Sequence, residues 1–215
     1  MFFPADEQKQ IARLFAFLLQ GEQLAFDCAK KQAELFTDKR SQRFLKNQVR
    51  QERFHSQVFK SGVGILAPRG VINVPGQKEM QTYRQLVTEA LDRGDKAESL
   101  LGMQIMLEGV GDVAVQHISA GFDYRDVGFM CRRVRHLILG QEDAHHTFGI
   151  KRFNSLFDSE DVPDYLQQRS QDYLHLLEAL MLSVTELFEY FDESAEHYID
   201  EFYAELPDWI ATQRT

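Results

Sequence analysis

Two short stretches of this chain pair a carboxylate with an imidazole at helical spacing: Gln51-Glu52-Arg53-Phe54-His55 and Gln141-Glu142-Asp143-Ala144-His145. On a helix that turns about 100° per residue, positions i and i+3 fall about 60° apart on one face. Glu52 with His55, and Glu142 with His145, can therefore each converge on one ion. One such pair arises by chance in many helical proteins. Two copies, each preceded by a helix that carries its own glutamate, Glu22 or Glu108, point to metal binding.

The elements that must position these residues can be read from apolar spacing. From Ala5 to about Phe36, residues such as Ile11, Leu14, Leu18, Phe26 and Ala29 recur at three-and-four intervals, which defines an amphipathic helix. Glu22 lies four residues from both Leu18 and Phe26, so it faces inward, where a charge requires a partner or a metal. Thr37-Asp38-Lys39 reads as a turn with an N-cap, and a second helix is predicted from about Ser41 to Ser61. The midpoint of Glu22 and Glu52 is residue 37, at that turn, so an antiparallel hairpin sets the two carboxylates level.

The second half repeats the arrangement. Asp95-Lys96-Ala97-Glu98 is a capping-box pattern that opens a third helix, with Leu101, Ile105, Glu108, Asp112 and Val115 on its stripe and an end near Ser119. Gly121-Phe122-Asp123 is read as the next turn, and a fourth helix is predicted from about Asp126 to Leu156. The midpoint of Glu108 and Glu142 is residue 125, again beside the turn. Between the halves, Ser61-Gly62-Val63-Gly64 is expected to end the second helix. The stretch to Gln77, with Pro68, Gly70, Pro75 and Gly76, then suits a crossover along the bundle, aided by a short helix from about Lys78 to Leu91. A fifth helix, kinked or split, is predicted from Val162 to Leu206, with Leu174, Leu177, Leu180 and Phe191 on its stripe and Glu178, Glu186 and Glu189 on a solvated face. The expectation is an all-α four-helix bundle with a long crossover and an additional C-terminal helix. It forms one domain, with its core bundle over about 5–157 and the C-terminal helix over about 162–206.

Composition narrows the functional classes. The chain has 215 residues with 44% hydrophobic content and only five prolines, enough for one sizeable core built of long helices. A formal net charge of −9 argues against a nonspecific nucleic-acid surface and gives no reason for an anionic membrane partner. Cys28 and Cys131 are too few for a disulfide framework and read as buried small apolar residues in a reducing cytoplasm. The stretch Met1 to Glu7 lacks a signal-peptide pattern, and no later run of about 20 residues is free of charge, so a soluble cytoplasmic protein is expected.

Four carboxylates and two imidazoles meeting at mid-bundle supply ligands for two transition-metal ions, since carboxylates can bridge two cations and imidazoles suit iron or manganese. On these residues the chain resembles the ferritin-like di-iron carboxylate superfamily over roughly residues 8–157. More narrowly, Glu142-x-x-His145-x-x-Phe148-Gly149 resembles the corresponding stretch of ribonucleotide reductase small subunits and related di-iron oxidases and oxygenases. The resemblance implies Glu22 and Glu108 as terminal or bridging ligands, Glu52 and Glu142 as bridging ligands, and His55 and His145 as one imidazole per metal. The cofactor it implies is two iron ions, or manganese with iron. The reductase subunits carry an Asp at the first ligand position and a radical Tyr one turn past the first histidine. Here these positions hold Glu22 and Phe59, so a tyrosyl-radical role is not expected. Gln51, Gln141 and Asp112 are the candidates for orienting the ligands from behind. No catalytic residue beyond the metal centre is assigned.

The function implied is activation of dioxygen to oxidise a small apolar organic substrate, with electrons from a ferredoxin or flavoprotein reductase. Iron handling or peroxide detoxification of the ferritin or rubrerythrin type is one alternative, although the Cys-rich domain of rubrerythrins has no counterpart here. A non-catalytic helical interaction protein is another, and such bundles often pair through a helix face, which would make a homodimer. Gly21, Gly109, Gly111 and Gly140 lie within three residues of proposed ligands and provide either space beside the metals or close helix packing. The 17 phenylalanines would give any cavity an apolar wall. His146 reads as packed or exposed rather than ligating, and His117 and His175 stay unassigned.

Overall fold

The structure, a computed structural model, describes residues 4–68, 72–123, 128–157, 161–190 and 193–211. Helices α1 (Ala5–Leu35) and α2 (Lys39–Leu66) form the first hairpin, and α3 (Gln77–Asp92) lies in the connection to the second. Helix α4 (Lys96–Leu100) runs directly into a π-helical segment (Leu101–Leu107) and then α5 (Glu108–Asp123), which pairs with α6 (Gly128–Asn154). Helices α7 (Asp164–Ser183), α8 (Thr185–Tyr190), α9 (Ala195–Glu205) and α10 (Asp208–Ala211) follow. No strand occurs among the described residues, and none of the helices is long and apolar enough to cross a membrane.

The first hairpin closes where the sequence places it. Asp38 caps α2 by accepting a 2.8 Å hydrogen bond from the Ser41 amide, and its other oxygen pairs with Arg152 of α6 at 2.8 Å. The expected capping box at Asp95 forms only on one side. Asp95 accepts from the Glu98 amide, but the Glu98 side chain, almost fully buried, turns instead to Arg93 and Arg169. The π-helical segment is the innermost element, with all seven of its residues buried. A π turn leaves carbonyls that an α-helix would have used. Here Gly102 O accepts from the Tyr83 hydroxyl of α3, and Gln104 O accepts from His146 Nδ1 of α6.

Two predicted boundaries shift. Gly62 and Gly64 do not end α2, which continues to Leu66. A Cβ at Gly62 would sit 2.5 Å from the Phe15 ring, so this glycine serves the close packing of α1 on α2. The predicted turn at Gly121-Phe122-Asp123 is instead the last stretch of α5. Residue 125, the midpoint of the second hairpin, lies outside the described residues, as do Gly70 and Phe191; the side chains of Val115 and Cys131 do too. The C-terminal helix is split, one of the two forms expected of it: α7 ends at Ser183, and Val184 beyond it, with φ of −106° and ψ of 7°, leaves the helical region. Its apolar stripe, including Leu166, Leu174 and Leu177, packs into the core, while Tyr198 and Phe202 of α9 close the side of α5.

Gly149 of α6 lies against the π-helical segment. A Cβ there would come within 2.4 Å of Gln104 Cβ and 3.1 Å of Gln104 backbone carbon, which cannot swing aside. A Gly149→Ala variant is therefore expected to lose about 1–3 kcal/mol of stability in chemical denaturation, the range for overpacking a filled core. An unchanged midpoint would show that α6 and the π-helical segment are not held this close.

Candidate metal centre

The four helices that carry the predicted ligands bring all six side chains together. His55 Nδ1 of α2 faces three carboxylates: Glu22 Oε2 of α1 at 3.1 Å, Glu52 Oε2 at 3.3 Å and Glu142 Oε1 of α6 at 2.9 Å. His145 Nδ1 of α6 faces Glu52 Oε1 at 3.0 Å, Glu108 Oε2 of α5 at 3.7 Å and Glu142 Oε2 at 3.8 Å. Glu52 and Glu142 thus each direct one oxygen to either histidine, whereas Glu22 belongs to the His55 side and Glu108 to the His145 side. The ring centroids of the two histidines are 6.5 Å apart. Five of the six residues are buried and Glu22 is nearly so, its side chain 10% exposed.

Distance and alignment disagree within this cluster, and the disagreement is informative. Both Glu52 oxygens, Glu142 Oε1 and His145 Nδ1 are buried with no hydrogen-bond partner among the described residues. His145 Nδ1 and Glu52 Oε1 are nevertheless only 3.0 Å apart. Buried polar atoms are almost always hydrogen-bonded, because an orphan costs about 1–3 kcal/mol. Carboxylate and imidazole atoms crowded together without donor alignment are the donor set of a metal site. Two groups of ligand atoms, each within 4.8 Å, share Glu52: Glu22, Glu52, His55 and Glu142 in one, and Glu52, Glu108 and His145 in the other. The residues present fit two transition-metal ions.

Burial and mutual contact set the protonation of the cluster. Burial drives Glu22 and Glu108 well above the ordinary carboxylate range, and neighbouring carboxylates add to this. Burial also raises Glu52 and Glu142, but the close approach of the two histidines outweighs it and holds both below the ordinary range. For His55 and His145 burial works against the charged form, yet the surrounding carboxylates win and hold both rings well above the usual imidazole value. Without metal, the shifts run in two directions: they favour the charged forms of both histidines, Glu52 and Glu142, and the neutral forms of Glu22 and Glu108.

The orienting residues are crossed between the halves. His55 Nε2 donates to Gln141 Oε1 at 2.8 Å, and His145 Nε2 donates to Gln51 Oε1 at 3.0 Å, so each glutamine serves the histidine of the other motif. This fixes both rings with Nδ1 toward the carboxylates. A Gln51→Leu variant should therefore weaken the ion beside His145 by about 10–100-fold, and Gln141→Leu the ion beside His55. Equal weakening of both ions by either variant, in a metal titration, would contradict the crossed arrangement. Asp112 does not take the orienting role expected of it. Its Oδ2 accepts from Gln116 Nε2 at 2.9 Å, the outer nitrogens of both histidines being taken by the glutamines. Burial lifts its carboxyl to about 6.

Sequence reasoning missed a buried chain of amides behind Glu108. Gln48 Nε2 donates to Glu108 Oε1 at 2.7 Å, Gln104 donates to Gln48 and Gln32, and Gln32 reaches the Ser99 carbonyl at 3.1 Å. All three glutamines are fully buried. Gln48 stands on the apolar stripe of α2, and a polar residue there was the available signal.

The remaining candidates separate cleanly. His146 is buried but turned away, bound to the Gln104 carbonyl, and a Cβ at Gly109 would lie 2.9 Å from its ring. Gly109 thus makes room for His146, while a Cβ at Gly21, Gly111 or Gly140 would meet nothing within 4 Å. Cys28 is buried and unpaired, its thiol pushed up to about 12 by burial, as a core residue rather than a nucleophile. Phe44 stacks on Phe148 with centroids 4.0 Å apart and presents its ring to the edge of His145 at 6.1 Å. An open groove of about 530 Å³ between α3 and α7 contains none of the six residues; it is lined by Leu86, Glu89, Asp172 and His175, among others.

No protein-family model matches the chain, and no curated protein matches it in sequence. Among solved structures, a protein from Synechococcus with aldehyde deformylating oxidase activity superimposes with a TM-score of 0.79 over 100% of this chain and 94% of that one, at 16% identity. The fold is ferritin-like: an all-α bundle with a long crossover and added C-terminal helices.

Proposed function

We propose that the protein is a dimetal carboxylate oxidase or oxygenase that uses dioxygen to oxidise a small apolar organic substrate. The observation that carries this reading is the pair of shared carboxylates, Glu52 and Glu142, each placed between two histidines in a buried cluster. Two iron ions, or manganese and iron, held by Glu22, Glu52, His55, Glu108, Glu142 and His145, would supply the binding and reduction of dioxygen.

The chain's own residues supply the setting. Gln141 and Gln51 hold the two imidazoles in one tautomer, and Gln48 holds Glu108 through its Oε1. Phe44 and Phe148 form an apolar wall beside His145 that keeps water from that side. Glu22 is the least buried of the six, and a side chain on neighbouring Gly21 would meet nothing within 4 Å. This face of α1 is the approach for dioxygen and substrate, with Glu22 Oε2 on His55 Nδ1 as the proton-bearing contact at the entrance.

The electron donor is a ferredoxin or flavoprotein reductase, and the reading includes a homodimer, checked by sedimentation. The Synechococcus protein's activity makes apolar aldehydes the first substrates to try. Iron-loaded protein with a reducing system is expected to consume dioxygen faster when such an aldehyde is present and to convert it. Oxygen consumption unaffected by a broad panel of apolar aldehydes, alcohols and hydrocarbons would overturn the reading and favour iron handling.

A further inference from the structure

A second group of metal-ligating side chains meets where α9 packs on α5, apart from the dimetal cluster. His197 and Glu201 stand one turn apart on α9, and His117 reaches them from α5. The carboxylate of Glu201 is shared: its Oε2 lies 2.5 Å from His117 Nε2 and its Oε1 lies 3.1 Å from His197 Nε2. All three ligand positions fall within 4.8 Å of one another. Two ligands bound tetrahedrally at about 2.0–2.1 Å from one ion are about 3.3 Å apart, so small rotamer adjustments bring these three onto a common centre.

The surroundings favour a site over a chance meeting of side chains. The His117 ring is fixed by Tyr198, with centroids 4.4 Å apart, and meets the His197 ring edge-on at 5.4 Å. Its other nitrogen, Nδ1, has Glu193 Oε2 at 3.7 Å, the place from which a carboxylate orients a metal-bound imidazole. His197 and Glu201 keep 57% and 42% of their side chains exposed, which leaves a coordination position open to water. Two imidazoles and a carboxylate select a borderline transition ion over calcium or magnesium, which take oxygen ligands. Exposed histidine–glutamate ion pairs alone contribute little, and only while the rings are protonated.

The geometry points to a third metal site, formed by His117, His197 and Glu201, which takes a divalent ion of the zinc class and clips α9 onto α5. Its sequence signal was hidden, because the partners of His117 come from about 80 residues downstream, not from ligand spacing on its own helix.

The test is a stoichiometric titration of the full metal-free chain with cobalt(II), read by visible absorption and by dialysed metal content, alongside His197→Ala. His197 is more than half exposed, so its loss leaves the fold intact, which circular dichroism verifies. The expected result is one equivalent fewer in the variant than in the wild type, with the same deficit in His117→Gln. Binding of a single ion by the wild type that vanishes in His197→Ala would sustain this site while removing the dimetal reading. Equal cobalt content in wild type and His197→Ala would overturn the proposal and leave two exposed ion pairs.

Discussion

Replacing Glu52 with alanine is expected to strip both ions of the proposed dimetal centre from the protein, whereas replacing Glu22 with alanine is expected to remove one. Glu52 stands at the junction, with one oxygen 3.3 Å from His55 Nδ1 and the other 3.0 Å from His145 Nδ1. Its loss takes a ligand from each ion at once, and the affinity of both should fall by more than about 100-fold, beyond what loss of an orienting residue does. Glu22 touches only the His55 side. Its loss leaves Glu52, Glu108, Glu142 and His145 for the second ion. The comparison is made on dialysed protein by elemental analysis, with circular dichroism as the control for folding. A Glu22→Ala protein that loses both ions, or a Glu52→Ala protein that keeps one, would show that the sharing read from the geometry is wrong.

The metal-free protein is expected to lose stability as pH rises, and the metal-loaded protein to gain it. For His55 and His145, held above the ordinary value of 6.5, the stabilising contribution is fully present below that value and is lost as pH climbs through the raised folded values. Glu22 and Glu108, held above 4.5, keep their protons in the fold after the unfolded chain has released its own, so they weaken the fold as pH rises past 4.5. Glu52 and Glu142 act oppositely, because their contribution is present above 4.5 and lost as pH falls through the depressed folded values. The cluster therefore supports the metal-free fold best in the mildly acidic range. Its melting temperature should drop by more than about 5 °C between about pH 5 and pH 9. Divalent ions compete with protons at histidines and carboxylates whose protonated forms the fold favours, so loading releases protons and tightens with pH. A metal-free melting curve that rises steadily to alkaline pH would contradict this protonation pattern.

Much of this centre is legible in the sequence because helical geometry is regular. A Glu-x-x-His pair shows itself by spacing, and the hairpin midpoints put Glu22 level with Glu52 before any contact is known. What spacing cannot show is which residues face each other across the bundle. Gln51 and Gln141 are visible as neighbours of their own glutamates, yet each serves the histidine of the other half. The amide chain through Gln32, Gln48 and Gln104 depends on three helices meeting, although Gln48 on an apolar stripe hints at it. Local residue preferences also misled at the glycines. Gly62 reads as a helix stop but lies within α2, packed against the Phe15 ring, and Gly121 reads as a turn but lies within α5. The π-helical segment at Leu101–Leu107 has no sequence signature here, because its carbonyls are satisfied by Tyr83 and His146 from distant helices.

Whether this bundle holds a dimetal centre that reacts with dioxygen is read out by anaerobic ferrous titration of the metal-free protein followed by exposure to air. Two irons are expected to bind per chain at the shared-carboxylate cluster, with a ferric charge-transfer absorption in the near ultraviolet that grows on aeration. Both are expected to be abolished in Glu52→Ala. Correctly folded protein that binds no iron, or whose spectrum does not change in air, would contradict the dimetal reading.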